Sequence, residues 1–151
     1  MSETPIYVID ASVFVSDAQP WEAFHHSSSQ LLARIALEQC QVLTPMIMLA
    51  EVSASIARQT GNTDLAQQFV HLLQQLPHIE LVDVDEILGK LSADLAAQQR
   101  VRGCDAVYVA LAKMRNAVLI TLDQEQRQRV PAGVVAHTPG EELIFLQNAN
   151  H

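Results

Sequence analysis

Apolar residues along this chain fall into short continuous runs separated by longer stretches with a three-to-four-residue period. A β-branched and aromatic run over 6–9, directly after Pro5, predicts a strand buried on both faces. Pro20 marks where a helix can begin, and Leu31, Leu32, Ile35 and Ala36 carry helical spacing toward Glu38. Residues 41–43 read as a second strand, closed by Thr44-Pro45. A helix is predicted over 46–58, with Gly61-Asn62 as its stop. Leu65, Phe69, Leu72, Leu73 and Leu76 line one face of the next helix, which ends at Pro77. Residues 79–84 alternate as a strand does. Asp85-Glu86 then suits a helix start, because acids favour the positive end of the helix dipole. After Gly103 come a helix over 104–115, a strand over 117–121, a short helix over 123–129 and a strand at 134–135. Pro139-Gly140 precede a small terminal helix.

Strands alternating with helices predict an α/β domain whose sheet is mainly parallel and covered by helices on both faces. Connections between its strands should be right-handed crossovers. At 151 residues, one domain spanning 1–151 is expected, and no repeat or linker divides it. In open sheets of this kind, ligands bind beyond the carboxyl ends of the strands, near the point where strand order reverses.

That rule directs attention to four carboxylates attached to apolar segments. Asp10 follows Ile6-Tyr7-Val8-Ile9, and Asp123 follows Val118-Leu119-Ile120-Thr121-Leu122, so both lie just past a predicted strand. Asp105 falls in the first turn of a predicted helix, and Glu51 lies inside an apolar one after Met46-Ile47-Met48-Leu49-Ala50. Unpaired charge beside a core is expensive. Two such groups about 4 Å apart repel by roughly 4 kcal/mol at an effective dielectric near 20. A bound divalent cation is the ordinary way to offset that repulsion. Carboxylate oxygens are hard ligands suited to Mg²⁺ or Mn²⁺ and not to zinc. Taken singly each acid has a plainer role, as a cap, a turn residue or a solvated helix position.

Composition narrows the picture further. The chain is 49% hydrophobic and 17% charged, which excludes a disordered protein. Its formal net charge of -8, with nine Lys plus Arg, lacks a basic nucleic-acid footprint, although a metal can supply local positive charge. Cys40 and Cys104 form neither a zinc motif nor a disulfide framework and read as reduced thiols. With no signal-like start and no apolar stretch near the ~18–20 residues of a membrane span, a soluble cytoplasmic protein is expected. The six histidines have no ligand spacing. The remaining acids, including Asp85, Glu141 and Glu142, read as solvated faces or caps.

Four stretches in order resemble the PIN-domain ribonucleases, especially the VapC toxins of toxin–antitoxin pairs. They are Val8-Ile9-Asp10-Ala11-Ser12-Val13, Leu49-Ala50-Glu51-Val52, Asp105-Ala106-Val107-Tyr108-Val109-Ala110-Leu111-Ala112 and Leu119-Ile120-Thr121-Leu122-Asp123. The resemblance covers nearly the whole chain. It implies a three-layer α/β/α PIN-like fold and an Mg²⁺- or Mn²⁺-dependent endoribonuclease in which a metal-activated water attacks the scissile phosphate. It further implies that Asp10, Glu51, Asp105 and Asp123 are the catalytic metal ligands, with Ser12 and Thr121 orienting the acids or a metal-bound water. A homodimer and an antitoxin partner are also implied. Many relatives carry another acid two residues past the last strand aspartate; here that place is held by the longer Glu125, which leaves a second metal open.

Arg100 and Arg102, close to Asp105, are the first candidates for RNA phosphate contacts and are not expected to affect metal binding. Lys113, Arg115, Arg127 and Arg129 come next, and Trp21 and Phe24 start a helix near the site edge. Two other functions compete. A PIN-like module could bind RNA or protein without catalysis. A phosphatase could use Asp10 as nucleophile, but such enzymes want a second aspartate where this chain has Ser12.

Overall fold

A computed structural model describes residues 4–150. Residues 1–3 and 151, which the expected domain and the last of the six histidines include, lie outside the described residues. The order of elements is β1 (Tyr7–Ile9), α1 (Ala11–Ala18), α2 (His25–Leu37), β2 (Val42–Pro45), α3 (Ile47–Thr60), α4 (Thr63–Gln74), β3 (Ile79–Val82), α5 (Glu86–Gln99), α6 (Gly103–Arg115), β4 (Val118–Ile120), α7 (Gln124–Gln128), β5 (Ala136–His137) and α8 (Pro139–Ala149).

All five strands are parallel, in the order β3-β2-β1-β4-β5. The chain builds outward from β1 to β2 and β3, then returns to the other side of β1 with β4 and β5. Strand order therefore reverses between β1 and β4, whose register pairs Tyr7 with Val118 and Ile9 with Ile120. The fold is the three-layer α/β/α arrangement that alternating strands and helices predict. Tyr7, Val8, Ile9, Val42, Leu43, Leu119 and Ile120 are fully buried, as expected of central parallel strands covered on both faces. Helix α6 crosses β1, β2 and β4 and packs on α5, while α1 packs on α2 and α3.

Local sequence explains most boundaries. Gly61 closes α3 in a left-handed conformation at φ 67°, which glycine adopts without a Cβ penalty. Asn62 and Asp85 cap α4 and α5 by accepting from Leu65 N and Leu88 N. Thr138 and Glu141 form a capping box on α8, with Pro139 in its first turn.

Several elements differ from the sequence reading. Helix α1 was not expected, because Val13-Phe14-Val15 has β-branched and aromatic character. Its residues Ala11, Val13, Phe14, Val15 and Ser16 are all buried, so Ser12 and Asp17 alone mark its more polar side and the helical period is weak. Helix α2 begins at His25 and not near Pro20; turns occupy 20–24. The last strand is Ala136–His137 in place of 134–135, set by Thr121 N donating to His137 O at 3.1 Å. Strand β2 also continues through Pro45, since Met46 N donates to Val82 O at 2.8 Å and the ladder loses no donor it needs. Among the described residues, no helix is long and apolar enough to cross a membrane.

Candidate active site

The chain leaves β1 and β4 side by side at the point of strand reversal, and an acid follows each. Asp10 N donates to Ile120 O at 2.9 Å, extending the β1–β4 ladder by one residue and fixing Asp10 against the end of β4. Asp10 then becomes the N-cap of α1: its Oδ2 accepts from Ser12 N at 3.0 Å. Asp123 repeats the arrangement at α7, where its Oδ1 accepts from Gln126 N at 3.0 Å. Each cap holds a carboxylate at the mouth of the sheet with one oxygen committed to the backbone.

The two hydroxyl residues tie these turns together. Ser12 Oγ accepts from Leu122 N at 3.1 Å, linking the start of α1 to the exit of β4. Fully buried Thr121 accepts from Asp123 N through its Oγ1 at 3.1 Å. Gln126, itself buried, donates through Nε2 to the Asp105 carbonyl at 3.1 Å and joins α7 to the first turn of α6.

Asp10, Ser12, Glu51, Arg102, Asp105 and Asp123 line one pocket of about 680 Å³. Burial raises the pKa of Asp10, and the Asp105 charge pushes the same way; bonds from Ser12 and Thr121 oppose both. Glu51 is raised by burial and by Asp10 and Asp105, against the bond it accepts from Tyr108. Asp105 is raised by burial and by Asp123 and Glu125, although Arg102 pulls it down. Asp10, Glu51 and Asp105 thus each feel neighbouring negative charge, and their surroundings favour their uncharged forms. A cation would relieve that cost.

Their chemistry fits a hard divalent ion: oxygen donors only, partly desolvated, with mutually unfavourable charge. The side chains are not gathered on one point, however. Among the described residues, no group of three or more His, Cys, Asp or Glu stands ready to hold an ion. Two of the acids are paired with Arg102. Its Nε donates to Asp105 Oδ2 and its Nη2 to Asp123 Oδ2, both at 3.1 Å.

The other predicted residues scatter. Arg100 caps α5 in a left-handed conformation, its carbonyl accepts from Arg129 Nη1, and it does not line the pocket. Glu125 also stays outside the pocket lining, paired with Arg129 through Oε1 at 2.6 Å. Arg127 donates through Nη1 to the Thr121 carbonyl at 3.1 Å. Phe24 does line the pocket and is half exposed, but from the turn before α2.

Sequence reasoning missed Tyr108, whose Oη donates to Glu51 Oε1 at 2.6 Å, and it missed Ser55 and Arg58. The signal for the latter pair was present. Glu51, Ser55 and Arg58 stand at i, i+4 and i+7, so α3 carries them up one face from the pocket floor to its rim. Glu142 was misread as a solvated or capping acid. It is buried, accepting from Tyr7 Oη at 2.9 Å and sitting 2.7 Å from His137 Nδ1.

A strand-reversal pocket with acids after β1 and β4, on α3 and at the start of α6, places this chain in a known class. Residues 7–130 match the family model of the PIN domain, and the chain belongs to that family. All four acids lie within the matched residues. Among solved structures it is similar to Mycobacterium tuberculosis VapC20, described as a sarcin-ricin loop cleaving toxin, at 14% identity and a TM-score of 0.71. That match covers 85% of this chain and 98% of the other. VapBC2 from Rickettsia felis, bound to a DNA fragment from its promoter, gives 17% identity and a TM-score of 0.68, over 88% of this chain and 98% of the other. A toxin–antitoxin complex from Klebsiella pneumoniae gives 18% and 0.62, over 88% and 97%. No curated protein matches by sequence.

Proposed function

We propose that this chain is an Mg²⁺- or Mn²⁺-dependent endoribonuclease that hydrolyses RNA phosphodiester bonds, acting in the cytoplasm as the toxin of a toxin–antitoxin pair. The observation that carries the reading is the convergence of Asp10, Glu51, Asp105 and Asp123 on one pocket at the strand reversal. Membership of the PIN family and the likeness to VapC20 support it.

In this reading those four carboxylates hold the ion, with phosphate oxygens and water completing its shell. The chemistry a bound Mg²⁺ or Mn²⁺ supplies is a more acidic water and neutralisation of charge at the phosphate. Asp10 and Asp123 each keep one oxygen on a helix-start N–H, which fixes the direction of the other. Ser12 and Thr121 orient the acids: Ser12 N bonds Asp10, and Thr121 Oγ1 accepts from Asp123 N. Tyr108 holds Glu51 from behind. The phosphatase alternative lacks its second acid, because the residue two beyond Asp10 is Ser12.

Arg58 takes the phosphate-contact role first given to Arg100. It lines the pocket, is exposed, and among the described residues makes no ion pair. Exposed Leu37, Ile87, Ile144 and Phe145 supply apolar surface for a second copy of the chain and for an antitoxin, the latter reading supported by the Klebsiella complex. Light scattering giving a dimer mass, and co-purification with the product of an adjacent small reading frame, would bear these out.

The central test is cleavage of single-stranded RNA with Mg²⁺, with Mn²⁺ and with excess EDTA, on the parent protein and Asp10→Asn. Metal-dependent cleavage lost in the variant is expected. Cleavage that resists EDTA would contradict the reading and point to 2′-hydroxyl attack. RNA binding without cleavage under any condition would instead favour the non-catalytic module.

A further inference from the structure

Arg102 stands at the N-cap of α6, three residues before Asp105, and bridges acids from two different elements. A guanidinium can do this because its N–H groups radiate from one rigid plane, so Nε serves Asp105 while Nη2 serves Asp123. The two sides of the bridge differ in burial. The side chains of Asp105 and Asp123 are 13% and 26% exposed, whereas that of Arg102 is 74% exposed. Asp123 is further held by its cap bond to Gln126 N, and Asp105 sits on a helix that packs across the sheet. The acids are anchored, and the arginine is a long side chain with most of its surface in water. Ion pairs of that kind are weak and readily exchanged.

We infer that Arg102 is a built-in counter-cation that competes with a divalent ion for the Asp105 and Asp123 oxygens. The inference rests on the metal-binding reading above and goes beyond it. Without metal, the guanidinium relieves the repulsion between the two acids and occupies their oxygens. When a divalent ion takes those oxygens, Arg102 leaves them with its charge intact at the pocket mouth, where a phosphate is the natural new partner. Metal loading and phosphate capture are thereby linked through one side chain. This replaces the expectation that Arg102 would leave metal affinity unaffected.

The test is calorimetric titration of Mn²⁺ into the full chain, comparing the parent with Arg102→Gln, Arg102→Lys and Arg100→Gln. Arg102→Gln should bind Mn²⁺ about tenfold more tightly, the scale on which losing two exposed ion pairs acts. Arg102→Lys keeps the charge but cannot span both carboxylates, so it should fall between the two. Arg100→Gln makes the same change in net charge outside the pocket lining and should stay within about twofold of the parent, because exposed charges at a distance are screened. Thermal unfolding adds a second readout. Metal-free Arg102→Gln should melt below the parent, and the gap should close or reverse at saturating Mn²⁺. Equal Mn²⁺ affinity in parent and Arg102→Gln would overturn the competition and leave the metal reading standing. An Arg100→Gln effect as large as that of Arg102→Gln would also overturn it, in favour of a general field. If neither parent nor variant bound Mn²⁺, both readings would fall together.

Discussion

The hydroxyl of Tyr108 donates to Glu51 Oε1 at 2.6 Å, joining α6 to α3 across 57 residues of sequence. Tyr108 is fully buried, and its pKa is raised far above the ordinary phenol range by burial and by the charges of Asp10 and Glu51. It therefore stays protonated and donates. Glu51 is the one acid of the four that lies within a helix and not at a strand end or helix start, so this bond is what sets its direction.

Replacing Tyr108 with Phe removes the donor and leaves a partly buried carboxylate oxygen unpaired. A stability loss of about 1–3 kcal/mol is expected, the usual cost of such an orphaned group. Urea unfolding measures it. The same change removes a bond that favours ionised Glu51, so its carboxyl should titrate still higher, as NMR of the side-chain carboxyl carbon would record.

Asp10→Asn should separate stability from activity. Asparagine caps a helix as aspartate does, so α1 keeps its start, while the charge that burial disfavours is gone. The metal-free variant should melt at or above the parent temperature. RNA cleavage should fall at least about a hundredfold, since disturbing even groups behind a metal's ligands costs 10–100-fold. The thermal stabilisation that Mn²⁺ gives by binding the native state alone should shrink as well.

Stability should depend on pH with a definite sign. Asp10, Glu51 and Asp105 are all raised above their ordinary values of 3.8, 4.5 and 3.8. The unfolded chain gives up these protons at lower pH than the folded one. Their favourable contribution is complete below the ordinary carboxylate range and is lost as pH rises through the raised folded values. The stability advantage of Asp10→Asn should be largest near neutrality and close as pH is lowered toward 4. Glu141 runs oppositely: its cap bonds with Thr138 lower its pKa, and its contribution is lost only below the ordinary range. Mn²⁺ affinity should weaken over the same descent, because protons compete for the ligand oxygens. A difference between parent and variant that stayed constant from pH 7 to pH 4 would refute this account.

Arg58→Ala should weaken binding of single-stranded RNA similarly for all sequences. Its log–log dependence on salt should flatten by about 0.7, the increment for one phosphate contact on a single strand. Arg100→Ala should leave that slope unchanged, because Arg100 lies outside the pocket lining. The reverse result would move the RNA path to the α5–α6 side.

Away from the pocket, Tyr7 and His137 enclose the buried Glu142 and fasten α8 to β1 and β5. Tyr7→Phe should cost about 1–3 kcal/mol in urea unfolding, the penalty for stripping a donor from a buried carboxylate. Cleavage per folded molecule should be unaffected.

Much of this protein is determined by its sequence alone. Runs such as Tyr7-Val8-Ile9 and Val118-Leu119-Ile120, short and rich in β-branched or aromatic residues, suit strands covered on both faces, and the acid following each is part of the local chain. The positions of Asp10 and Asp123 at strand ends, and the caps at Asn62 and Asp85, follow from such short-range information. Helix α1 escaped because its run of large apolar residues, Val13-Phe14-Val15, reads locally as a strand and five of its eight residues are buried, which blurs the helical period. The partners escaped for a different reason. The bonds Tyr108–Glu51, Arg102–Asp123 and Tyr7–Glu142 span 57, 21 and 135 residues, and no spacing rule reaches that far. Closeness to Asp105 in the sequence made Arg102 a candidate phosphate contact, and Glu142 read as a solvated or capping acid. Only the tertiary structure decided that one faces two carboxylates and the other lies buried, because the energy of a charge depends on what surrounds it in space and not on what precedes it in the chain.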